Sequence, residues 1–180
     1  MTEPGIRRLQ ERVVYENEFV SVSDDDVAFV DGSRGRYLKV EPRGGPGAVI
    51  LPVHAGTVGM VRTFRYALGD FQWALPRGFG QSADPVETAR EELNAELGST
   101  DARFRLLGYV TPDSGLLASR VAVFLADVGD THTVPKDTRE VSGWRWVPLD
   151  ELWAEIAAGD IEDGFTLSAL ALARAVGKLG

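Results

Sequence analysis

Apolar residues in the first part of the chain recur at short, strand-like intervals. Over residues 12–30, Val13, Val14, Tyr15, Phe19, Val20, Val22, Val27, Phe29 and Val30 are interleaved with polar positions, and β-branched or aromatic residues in that pattern favour short strands. Asp31-Gly32 is a turn signal, and a further strand is expected around Tyr37–Val40. Glu41-Pro42-Arg43-Gly44-Gly45-Pro46-Gly47 breaks the pattern and reads as a linker. Two strands follow, Ala48–Val53 and Val58–Tyr66, turning at Ala55-Gly56-Thr57. A helix comes next, then strands near Arg103–Val110 and Arg120–Asp127, a polar stretch Val128–Ser142, and a strand Gly143–Val147. Helices over Leu149–Ala158 and Thr166–Val176 close the chain. Strands mixed with a few helices predict an α+β fold, an α/β/α sandwich with a mixed sheet. The expected organisation is a small β-subdomain over 1–46 and a main domain over 47–180.

The central helix is predicted from local chemistry. Asp84 is a favoured N-cap, Pro85 suits the first helical position, Glu87 completes a capping box, and Gly98 supplies the stop. At about 100° per residue, Val86, Ala89, Leu93 and Leu97 fall within roughly 80° and form one inward stripe. Glu92 and Glu96 lie beside that stripe, about 40° apart, whereas Glu87 and Glu91 point outward. Two like charges at i, i+4 repel, and an oxygen-seeking divalent cation between them reverses that cost. The alternative is an ordinary solvated acidic face.

Composition narrows the classes. The 180-residue chain is 44% hydrophobic and 26% charged, the balance of a globular domain. It has no cysteine and two histidines, which leaves neither a disulfide framework nor a histidine-rich zinc site. A net charge of −8 argues against a nucleic-acid partner. No apolar run is long enough for a membrane span, and a cytoplasmic location is the expectation. The charge does not exclude a phosphorylated small molecule, because local arginines reverse the field inside a cleft. Arg62, Arg65 and Arg77 precede the acidic helix and are candidates for holding phosphate oxygens. Strand alternation places Arg62 and Arg65 on opposite faces, so at most one is expected to enter a site. Phe71, Trp73, Trp144 and Trp146 read chiefly as core residues; Trp73 is the best candidate neighbour of a base or ribose. His54 and His132 read as ordinary surface or turn residues.

The loop Leu75-Pro76-Arg77-Gly78-Phe79-Gly80 and the helix carrying Glu92, Leu93, Glu96 and Gly98 together resemble the Nudix hydrolase signature. Relative to that signature the spacer is one residue shorter, and Ala83, Glu91 and Ala95 stand where a glutamate, an arginine and a glutamate are usual. Val61-Arg62-Thr63-Phe64-Arg65-Tyr66, Phe71-Gln72-Trp73-Ala74-Leu75-Pro76, Trp144–Leu152, and Asp160–Asp163 with Thr166 resemble the ADP-ribose and sugar-nucleotide pyrophosphatase branch. The likeness covers most of 13–176. It implies Mg²⁺- or Mn²⁺-assisted water attack on the pyrophosphate of a small nucleoside diphosphate derivative, such as ADP-ribose or an ADP-sugar. It further implies that Glu92, Glu96 and the Arg77 carbonyl hold the metal, and that a base comes from the loop Val128–Ser142, for which Glu140 is the candidate. A homodimer built through the N-terminal strands is also implied. The other reading is a Nudix-fold module that binds a nucleotide without turnover.

Overall fold

The computed structural model describes residues 5–80 and 82–179. The chain forms two compact units, Met1–Gly44 with Thr111–Ser119, and Gly45–Val110 with Arg120–Gly180; residues 1–4, 81 and 180 lie outside the described residues. Attachment of Thr111–Ser119 to the smaller unit differs from the contiguous division at residue 46 expected from sequence.

The smaller unit is a four-stranded antiparallel sheet of β1 (Ile6–Gln10), β2 (Val13–Glu16), β3 (Val20–Phe29) and β4 (Arg34–Pro42). β3 pairs with all three others. It runs unbroken through Asp24-Asp25-Asp26 because each carboxylate has a donor: Arg36 pairs with Asp24, Arg12 with Asp26, and the Arg12 N–H donates to Asp25. Those partners lie on β4 and on the connection between β1 and β2, which is why strand periodicity alone did not anticipate one long β3 or an ordered β1. The inserted segment follows β4: Val40 N–H donates to the Leu116 carbonyl and Ala118 N–H to the Val40 carbonyl, both at 2.9 Å.

The larger unit carries a mixed seven-stranded sheet of β5 (Gly47–His54), β6 (Thr57–Arg65), β7 (Asp70–Ala74), β8 (Arg77–Phe79), β9 (Ala102–Val110), β10 (Val121–Val128) and β11 (Val141–Pro148). Its order is β11-β6-β5-β10-β9, with β7 on β6 and β8 on β5; β5 and β10 are parallel. Helix α1 (Pro85–Leu97) covers one face, packing Ala89, Leu93 and Leu97 on Ile50, Val61 and Phe124. Helices α2 (Leu149–Ala158) and α3 (Gly164–Ala175) cover the other, packing Leu152, Ala169, Leu170 and Ala173 on Val49, Leu51, Met60 and Val123. This is the expected α/β/α sandwich. Strand β5 is buried on both faces, hence its nearly continuous apolar run.

One feature of the sheet creates the site. β5 and β6 pair only at their hairpin end, Val53 with Val58 and His54 with Thr57. They then part, β7 continuing along β6 from Ala74 opposite Val61, and β8 along β5 with Arg77 opposite Val49. The segment expected as a glycine loop is thus partly a strand. Leu75-Pro76 bridges the split, and Ile50 N–H donates to the Pro76 carbonyl at 2.9 Å.

Candidate active site

Helix α1 begins as its sequence predicts, with Asp84 accepting from Val86 N–H, and ends at Gly98 with φ 70°. The stop does more than end the helix: a Cβ at Gly98 would collide with the backbone of Val134. The acidic loop after β10 is docked against the last turn by further bonds. The Ala95 carbonyl accepts from the N–H groups of Lys136 and Asp137 at 2.8 and 2.9 Å, and Thr133 Oγ1 donates to the Leu97 carbonyl.

Glu92 and Glu96 face β8 across this geometry. A Cβ at Gly78 would strike the Glu92 carboxylate, so glycine permits close approach of backbone and acid. Glu96 Oε2 accepts from Arg77 N–H at 3.1 Å, and the residue is only 7% exposed. Its pKa is pushed up to about 8, first by burial and then by the neighbouring Glu92 charge, with Arg77 N–H and Arg65 opposing and Glu140 adding to the rise. Burial likewise raises the Glu92 pKa, followed by the charges of Glu140, Glu91 and Asp137. The structure therefore brings the loop acid Glu140 into the field of the helix pair, while leaving its own side chain exposed.

On the other side of β8 lies a cavity of about 140 Å³ lined by Arg65, Arg77, Gly78, Phe79 and Phe165, among others. Arg77 lies over the Phe165 ring at 4.6 Å, and its Nη2 donates to Asp163 Oδ1 at 2.8 Å. Asp163 also caps α3: its Oδ2 accepts from the N–H and Oγ1 of Thr166, at 2.9 and 2.8 Å. Thr166 Oγ1 in turn accepts from Leu75 N–H at 2.9 Å. Among the described residues the buried Nε atoms of Arg65 and Arg77 have no hydrogen-bond partner. Larger cavities of about 320 and 430 Å³ occur within the smaller unit, but neither is lined by a residue of this set.

Of the arginines singled out from sequence, Arg65 and Arg77 come together, whereas Arg62 is exposed and lies over Phe71 at 4.4 Å. Trp73 sits in β7 rather than in a loop. Arg145 covers its ring at 4.2 Å and is itself gripped by Glu155 through two hydrogen bonds, at 2.9 and 2.5 Å. His54 is half-buried, with Nδ1 2.7 Å from the Val128 carbonyl, whereas His132 is exposed. Sequence reasoning gave no role to Phe79 and Phe165, and saw Asp163 and Thr166 only as a familiar ending. Their D-x-x-T spacing is a helix-start signal, but the contacts with Arg77 and Leu75 span 86 and 91 positions.

Among the described residues no three His, Asp or Glu side chains converge into a ready-made metal cage. Glu92 and Glu96 nevertheless bring hard carboxylate oxygens against Gly78 and the Arg77 N–H. That set suits a divalent cation that completes its coordination with water and phosphate oxygens. Glu96, close to a second carboxylate with one N–H donor, fits such a charge.

Comparison with known proteins gives the family. The NUDIX domain family model matches residues 43–167. The CMP-5'-(N-acetyl-N-hydroxy-3-aminopropyl)phosphonate hydrolase of Streptomyces rubellomurinus (strain ATCC 31215) is 30% identical over 166 residues, 90% of this chain and 79% of that protein. A crystal structure of an ADP compounds hydrolase superposes with a TM-score of 0.81 over 99% of this chain and 100% of that one, at 17% identity, a likeness of fold. The chain belongs to the Nudix family and is a Nudix-type pyrophosphohydrolase of nucleotide derivatives.

Proposed function

We propose that the enzyme hydrolyses the pyrophosphate of a nucleoside diphosphate linked to a sugar, of the ADP-ribose or ADP-sugar kind, to a nucleoside monophosphate and a sugar phosphate, using Mg²⁺ or Mn²⁺. The observation that carries this reading is the placement of Glu92 and Glu96 on one side of β8 and of Arg65 and Arg77 on the other, across a glycine at which acid and backbone touch. When bound, the divalent ion neutralises phosphate oxygens and lowers the pKa of water. Glu92, Glu96 and the Arg77 carbonyl would hold it. Arg65 and Arg77 bind the diphosphate and absorb charge as the bridging bond breaks. Glu140, exposed beside the acidic pair, takes the proton from the attacking water. Phe79 and Phe165 offer the apolar walls against which a sugar or base packs, since the Trp73 ring is already covered by Arg145.

The relative from Streptomyces is named for a CMP-linked phosphonate, and the structural neighbour for ADP compounds; both name a nucleotide joined to a second group. A panel of ADP-ribose, ADP-sugars, CDP- and CMP-linked compounds, nucleoside triphosphates and dinucleoside polyphosphates, each with Mg²⁺ and Mn²⁺, tests the reading. The expected best substrates are the ADP-linked sugars. Preference for triphosphates, or binding of ADP-ribose without turnover, overturns it. The enzyme is further proposed to work in the cytoplasm as a homodimer, for which the exposed Val13, Val14, Tyr15 and Phe19 of the smaller unit supply an apolar surface. A strict monomer by light scattering at micromolar concentration removes the dimer.

A further inference from the structure

Arg77 enters its cavity already engaged on one edge. The guanidinium is stacked over Phe165, and Nη2 is bonded to Asp163, which is only 6% exposed. Its Nε is buried without a partner among the described residues, and the Arg65 Nε is in the same condition. Two guanidinium groups lining one cavity of about 140 Å³ repel each other. Left free, the long Arg77 side chain would swing toward water, a conformational loss that any phosphate would have to reverse on binding.

We infer that Asp163 is a positioning residue, which through its bonds to Arg77 and Thr166 holds the Arg77 guanidinium and the Leu75-Pro76-Arg77 segment ready to receive a diphosphate. The inference rests on the reading of Arg65 and Arg77 as the phosphate-binding pair and adds what keeps that pair in place. Both Asp163 oxygens are committed. Oδ1 accepts from Arg77 Nη2, while Nε has no partner among the described residues. Oδ2 takes Thr166, whose hydroxyl oxygen accepts from Leu75 N–H. The start of α3 is thereby tied to Leu75 in the bridge across the split sheet and to Arg77 at the start of β8. At the far end of the bridge Arg77 N–H reaches Glu96. Asp163 therefore touches neither phosphate nor metal and acts through Arg77 and the bridge. The Arg77 pKa agrees with this picture: burial lowers it most, while the adjacent Asp163 charge opposes that fall and Arg65 adds to it.

The role separates from plain helix capping because serine and asparagine are also good N-caps. Asp163→Ser and Asp163→Asn should keep α3 started, while the first loses the Arg77 partner and the second its charge. The measurement is calorimetric binding of α,β-methylene-ADP, whose bridge resists hydrolysis, to the full chain in Mg²⁺, with melting temperature recorded for each variant. Asp163→Ser and Asp163→Asn should each bind about tenfold more weakly, since serine is too short to reach Arg77 and an asparagine whose oxygen caps α3 turns its NH2 toward the guanidinium, so both lose the charge-assisted bond. Arg77→Ala should bind weakly, and adding Asp163→Ser to it should change binding less than twofold. Thr166→Ser should bind like the wild type, because the hydroxyl is kept. Asp163→Ser binding within twofold of wild type overturns the inference. So does a tenfold loss that persists undiminished in the Arg77→Ala background, or one that tracks melting temperature across all variants. Failure of the wild type to bind the analogue also overturns it. Binding without hydrolysis of any sugar nucleotide defeats only the substrate reading.

Discussion

Two buried acids flank strand β8, and the molecule treats them oppositely. Asp163 is 6% exposed and Glu96 7%, so burial does not distinguish them. Asp163 accepts three hydrogen bonds, one from a guanidinium, and thereby satisfies the rule that buried charge be paired. Glu96 accepts one, from a backbone N–H, and faces Glu92 with Glu140 nearby. The first arrangement fixes a structure. The second gathers carboxylates where the chain supplies little compensation, so that Glu96 keeps a proton which an added cation can displace.

Ordinary surface acids at positions 92 and 96 would tolerate substitution with little effect on turnover. Glu96→Gln and Glu92→Gln should each lower kcat/KM for ADP-ribose by on the order of 10³, with melting temperature held or raised, because the substitution removes a donor to the metal and also removes like-charge repulsion. Steady-state kinetics together with thermal melts check this. Activity within a few-fold of wild type for both variants sinks the metal assignment.

Glu140 sharpens the contrast, being an acid that belongs to the same field without being buried. As the base it should cost about 10² in kcat when changed to Gln, with little change in Mn²⁺ affinity, since general bases contribute roughly 10²–10⁴. A Glu140→Gln enzyme of normal kcat transfers the role elsewhere and leaves the helix pair untouched.

Local chemistry made much of this legible. Asp84, Pro85 and Gly98 marked the limits of α1, and its 3.6-residue period put Glu92 and Glu96 beside the apolar stripe. The strands expected over Ala48–Val53 and Val58–Tyr66, turning at Ala55-Gly56-Thr57, correspond to β5 and β6. Pairing at long range was not legible. Nothing near Arg77 in sequence says that Asp163 holds it, nothing near Trp73 says that Arg145 covers it, and nothing near Ala95 says that its carbonyl receives the 136–137 backbone. Strand β8 was hidden for the same reason: three residues with a central glycine read as a loop until β5 offers them an edge. Within the smaller unit, β3 passes through Asp24-Asp25-Asp26 on the donors of Arg12 and Arg36, which lie elsewhere in the sequence.

The subtlest consequence of an uncompensated Glu96 is a dependence of stability on pH and metal. Its pKa of about 8 in the folded chain lies above that of an unfolded glutamate, so between roughly pH 4.5 and 8 the folded state holds a proton that the unfolded state has released. The contribution is complete below the unfolded pKa and disappears as pH rises through the folded one. Without metal, stability should therefore fall across this window by at most about 1.4 kcal/mol per pH unit, a few degrees of melting temperature in a chain of this size. Mn²⁺ competes with that proton, so it should raise the melting temperature more at pH 8 than at pH 5.5. Glu96→Gln should flatten the metal-free slope and remove most of the Mn²⁺ effect, whereas Asp163→Asn should leave both in place. Differential scanning fluorimetry across pH, with EDTA and with Mn²⁺, reads all four conditions. A slope that persists in Glu96→Gln would assign it to other groups and erase the contrast between the two acids.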